Sequence, residues 1–142
     1  MKRETQEDLD NEAEILNHAC DYFKCKWSKL GLGGKYRIDA VLHREKSPVA
    51  WAEVKDYKRS LFLGLNVPKY MEGCRIAKVS GLPFLMIVRH ERLVSYLILH
   101  DGSTETQEKR LLMAGGTPKG REALPDDVEP MFMFDQKNLK QI

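Results

Sequence analysis

A chain of 142 residues, 42% hydrophobic and 31% charged, has enough apolar material for one packed core and predicts a single domain over residues 1–142. No apolar run approaches the ~18 residues of a membrane span, and Met1-Lys2-Arg3-Glu4-Thr5 leads into acidic residues, not an apolar signal region. The expectation is a protein of the cytoplasm or nucleoid, with no membrane partner. Its three cysteines (Cys20, Cys25, Cys74) are odd in number and contain no Cys-x-x-Cys, which argues against a disulfide framework and structural zinc.

The net charge of +2 hides an uneven distribution. Residues 1–23 carry two basic and seven acidic groups, residues 24–80 thirteen basic and five acidic, and residues 81–142 eight basic and nine acidic. A basic middle third suits a polyanionic partner, although solvated faces alone would give the same pattern.

In chain order, Leu9, Ala13, Leu16, Cys20, Phe23 and Trp27 recur at steps of four and three, which predicts a helix from Asp8 to about Leu30. The glycines of Gly31-Leu32-Gly33-Gly34 end it. Lys35 to His43 and Val49 to Asp56 read as two strands joined by the turn Arg44 to Pro48. A symmetric turn pairs Val41 with Trp51 and Asp39 with Glu53. One face then carries Asp39, Val41, Trp51, Glu53 and Lys55, with His43 beside them if the strand stays regular; the other carries Ile38, Ala40, Leu42, Ala50, Ala52 and Val54. Apolar residues on both faces predict central strands covered by helices on both sides. Pro68 to Ser80 reads as a helix stopped by Gly81, followed by strands at Pro83 to Arg89 and Leu93 to Leu99. A short helix at Thr104 to Ala114, a loop at Gly115 to Arg121 and an edge strand at Met131 to Phe134 complete the reading.

The chemistry concentrates in Asp39, Glu53 and Lys55, three charged groups embedded in strand-like apolar sequence. Burying them is costly unless something pairs them, and a divalent ion between the carboxylates would do so. Mg²⁺ takes oxygen ligands and keeps several waters. Asp39 and Glu53 would supply two oxygens and the Val54 carbonyl a third. Lys55 projects from the same face as Glu53 and could orient water or neutralise phosphate charge. Metal-dependent phosphodiester hydrolysis needs those functions together.

Asp39, thirteen intervening residues and Glu53-x-Lys55 resemble the PD-(D/E)XK motif of restriction-endonuclease-like nucleases. The element order from Asp8 to Leu99 is similar to that family's αβββαβ core, a mixed central sheet flanked by helices. Ile38 stands where the family has its proline, a residue without catalytic atoms. The resemblance implies a DNA nuclease using Mg²⁺, with Mn²⁺ as substitute, and structure-specific or processing cleavage in the absence of an added recognition domain. It implies Asp39 and Glu53 as metal ligands, Lys55 as the catalytic lysine, and an acid on the first helix facing the metal, for which Glu12 at the border of the apolar stripe is the candidate. A polar residue on the helix after the motif corresponds to Lys69, in the site or against DNA. Tyr57, Lys58 and Arg59 extend past Lys55 toward phosphates. Small nucleases of this kind often form homodimers. Two other readings stay open: a nucleic-acid-binding or assembly protein that keeps the fold without catalysis, and a different hydrolase or an unrelated α/β protein in which Asp39, Glu53 and Lys55 form a structural ion-pair cluster.

Overall fold

The computed structural model describes residues 5–30, 38–115 and 128–142. Helix α1 spans Gln6–Phe23 and starts at a reciprocal cap: Asp8 N–H donates to Thr5 Oγ1, and Thr5 N–H to Asp8 Oδ2. It buries Ile15, Leu16, Ala19 and Cys20. It ends sooner than the apolar spacing predicts, because Lys24 adopts a left-handed backbone (φ 58°) with its N–H on the Cys20 carbonyl. The chain then enters strand β1, Lys26–Lys29. Trp27, expected to extend the helical stripe, stands on this strand and donates its indole N–H to Asn17 Oδ1 at 2.7 Å.

Strands β2 (Ala40–Arg44) and β3 (Ser47–Tyr57) form the expected antiparallel pair, with Val41 opposite Trp51. The register shifts between Leu42 and His43. Lys35 to Arg37 of the predicted strand lie outside the described residues. After β3 come a short strand β4 (Gly64–Asn66) and helix α2 (Val67–Ser80). Asn66 Oδ1 accepts from Lys69 N–H, Pro68 occupies the first turn, and Gly81 (φ 73°) closes the helix. Strand β5 (Phe84–His90) returns parallel to β3, and β6 (Leu93–His100) turns back antiparallel.

The main sheet has the order β1-β2-β3-β5-β6-β9, where β9 is Lys140–Gln141. Helix α1 covers one face, packing on Ala40, Leu42, Ala50, Ala52, Leu85 and Ile87. Tyr70 and Ala77 of α2 cover the other, against Phe84, Met86, Val88, Leu97 and Leu99. This is the mixed α/β sheet with helices on both sides that the two-faced apolar pattern predicts. Ile38 departs from that pattern. It precedes β2 and packs into the α2-side cluster, opposite to Ala40 and Leu42.

A second sheet was not visible in the sequence. Its order is β4-β8-β7, with β7 at Lys109–Gly115 and β8 at Val128–Phe134. The segment read as a helix (Thr104 to Ala114) thus ends in a strand, because Leu111 and Leu112 pair with Phe132 and Met131. Met131 to Phe134 lies in the middle strand of this sheet, not at an edge. Beyond Gly115, the loop read as far as Arg121 lies outside the described residues. Among those residues no helix is long and apolar enough to cross a membrane.

Candidate active site

Strand alternation decides what faces α2. Ala50, Ala52 and Val54 of β3 turn toward α1, whereas Trp51 and Tyr57 join the α2-side cluster and Glu53 points the same way. Glu53 is completely buried. Its Oε2 lies 2.6 Å from Lys69 Nζ and 3.9 Å from Lys55 Nζ. Its Oε1 is buried with no hydrogen-bond partner among the described residues.

Asp39 stands immediately before β2. Its Oδ2 accepts the Val54 backbone N–H at 2.9 Å, which ties the loop to β3 beside Glu53. Its Oδ1 is 3.9 Å from Lys69 Nζ. The ammonium of Lys69 therefore bridges both carboxylates. Burial, and then the charge of Asp39, push the Glu53 carboxyl up to about 8 against the pull of Lys69 and Lys55. Burial works against the charge on Lys69, but Glu53, Asp39 and Glu12 outweigh it and hold its pKa above the ordinary lysine value.

Glu12 comes in from α1. Lys29 Nζ lies 3.5 Å from its Oε1, and its charge reaches Lys69. Among the described residues no three Asp, Glu, His or Cys side chains form a group that could hold a metal ion. Asp39 and Glu53 bring two carboxylates to the Lys69 ammonium, and the charge of Glu12 also acts on it. Val54 contributes its amide to positioning Asp39.

Tyr57, expected to extend past Lys55 toward phosphates, is half-buried and packs against the α2-side cluster. Counting by twos from Glu53 through Lys55 would have placed it under α2, where its hydroxyl accepts from Gly64 N–H at 3.5 Å and burial raises its pKa to about 12. Lys58 and Arg59 are exposed, Lys58 with its ammonium 3.6 Å from Glu7. The strand irregularity takes His43 out of the site. Its ring lies between Ser28 Oγ and the Glu45 carbonyl, in a cavity shared with Cys20 and Cys25.

Sequence reasoning missed Arg89. Its guanidinium forks onto Asp56 (2.9 and 3.2 Å) and reaches Asn11 (3.2 Å) and Glu14 (3.5 Å), fastening α1 to β3 and β5. Only the β3–β5 register, which sets Asp56 opposite Arg89, reveals the pair.

Two carboxylates and two ammoniums thus converge from a loop, a strand and a helix, and three of the four, Asp39, Glu53 and Lys55, are the residues of the Asp39 and Glu53-x-Lys55 pattern. The model of the family described as "Phage putative PDDEXK endonuclease" matches residues 1–142. A comparison with curated proteins finds no match. With a match along its whole length and the motif residues gathered at one place, the chain belongs to this PD-(D/E)XK family of nucleases.

Proposed function

We propose that the protein is a Mg²⁺-dependent deoxyribonuclease that hydrolyses phosphodiester bonds in a structure-specific or DNA-processing role. The observation that carries this reading is Glu53, a carboxylate with no exposed surface, set beside Asp39 and left with one oxygen lacking a hydrogen-bond partner among the described residues. Lys69 and Lys55 offset part of the several kcal/mol, by order of magnitude, that burying such a group costs, but both reach Oε2, which leaves Oε1 for a second cation. Hard oxygen donors in this number fit Mg²⁺, which is commonly held by one or two carboxylates plus water and substrate phosphate.

Asp39 and Glu53 would hold the ion, with Glu12 at the margin. Bound there, the ion supplies Lewis acidity, polarising a phosphoryl oxygen and lowering the pKa of bound water. The Val54 N–H holds Asp39 in place. Lys55, more exposed than Lys69, is placed to orient the attacking water and offset charge growing on the phosphate. Lys58 and Arg59 continue the basic surface along the same stretch of chain and would meet the backbone of the nucleic acid.

The test uses supercoiled plasmid, single-stranded DNA and a four-way junction, each with Mg²⁺, Mn²⁺ or chelator. Cleavage is expected with either ion and none with chelator. Lys55→Ala is expected to retain its circular dichroism spectrum and lose at least about 100-fold in rate. DNA binding without cutting under every condition would replace this reading with that of a non-catalytic binding protein.

A further inference from the structure

Lys69 occupies an unusual place. It is the third residue of α2, where the backbone dipole presents its positive end and disfavours a cation, and no acidic residue stands in that first turn. Helix stability does not explain a lysine there. The acid pair does: the Lys69 side chain is only 18% exposed, and its ammonium lies 2.6 Å from Glu53 Oε2 and 3.9 Å from Asp39 Oδ1. The other Asp39 oxygen is committed to the Val54 N–H. The two oxygens that converge on a common cation are the two that face Lys69.

With Glu53 ionised, as a bound cation requires, Asp39 and Glu53 are balanced by Lys55 and Lys69. A divalent ion added to this group leaves two positive charges in a poorly solvated place. Phosphates of a bound nucleic acid would cancel them. Lys69 has a flexible four-carbon stem and can follow those phosphates outward.

We propose that Lys69 is the resident cation of the Asp39–Glu53 pair, that a divalent ion competes with it for that seat, and that nucleic acid favours the exchange by drawing the ammonium away. Metal and DNA then bind cooperatively, each raising the affinity for the other by the same factor. This rests on the metal site proposed above and adds to it a role for Lys69 that precedes any chemistry.

The experiment is calorimetric titration of Ca²⁺, a hard cation with the same preference for oxygen ligands. It is run on the wild type, Lys69→Met and Lys69→Arg, with and without a short DNA duplex whose integrity is checked on a gel. Circular dichroism confirms folding of each variant. For the wild type, the duplex should tighten Ca²⁺ binding at least tenfold. Lys69→Met should bind Ca²⁺ at least tenfold tighter than wild type in the absence of DNA, and the duplex should then change its affinity less than threefold. Lys69→Arg, which keeps the charge, should behave as wild type. Equal or weaker Ca²⁺ binding by Lys69→Met without DNA would overturn the competition and leave the metal site standing. No uptake of Ca²⁺ by any variant in either condition would overturn both.

Discussion

Glu53→Gln should make the chelator-treated protein less sensitive to rising pH. A carboxyl held at about 8 in the folded chain and near 4.5 in the unfolded one keeps its proton on folding. Stability from that proton is fully present below pH 4.5 and is lost as pH rises through about 8, because over that window the native state binds more protons than the unfolded state. Integrated at 1.36 kcal/mol per unit, the loss is about 3 kcal/mol by pH 7 and about 4 to 5 kcal/mol by pH 9. Glutamine has nearly the same shape and does not titrate. The stability of Glu53→Gln relative to wild type should therefore grow by about 4 kcal/mol between pH 5 and pH 8.5. Urea unfolding at those two pH values, in chelator, reads the change directly. With a slope of about 1.5 kcal/mol/M, the gap between the two midpoints should widen by roughly 2 to 3 M. A gap constant to within about 1 kcal/mol would refute the reasoning, since it would mean that Glu53 ionises in the fold as easily as in water.

Asp39 has two roles that two substitutions separate. Asp39→Asn keeps an acceptor for the Val54 N–H and should stay within about 1 kcal/mol of wild type while losing metal uptake; Asp39→Ala should lose both, at about 1 to 3 kcal/mol, by urea unfolding and calorimetry. Gly73→Ala would place a methyl group 2.1 Å from Cε2 of the buried Phe84 ring, so the gain of about 1 kcal/mol in helix propensity is outweighed and the melting temperature should fall by roughly 3 to 10 °C. Arg89→Leu should destabilise by about 1 to 3 kcal/mol by leaving Asp56 without its fork, and Asp56→Leu added to it should recover part of the loss in a double-mutant cycle.

The hairpin carrying Asp39 and Glu53 was readable because two local signals agreed. Apolar alternation on both sides of a tight polar turn leaves one favourable register, and Val41 does meet Trp51. The end of α1 was not readable. Cys20, Phe23 and Trp27 fit a helical stripe, while the stop lies in Lys24, which adopts a glycine-like backbone without being glycine. Strand β7 was misread because residues 104–114 include helix-favouring residues and no turn signal, and its pairing with β8 is a tertiary effect outside any local window. Strand β4, three residues long, carries too little pattern to notice. In the site, spacing identified Asp39, Glu53 and Lys55 as a group. The distances to Lys69 depend on how α2 sits over the sheet, which no spacing along the chain encodes. Tyr57 is the opposite case: its burial followed from the same alternation that placed Lys55.

Asn66 is at once the last residue of β4 and the cap of α2. The small sheet and the helix bearing Lys69 therefore meet at a single residue, with no slack chain between them. Lys69 stands three residues beyond that shared residue, so the placement of its ammonium beside Glu53 depends on where β4 sits.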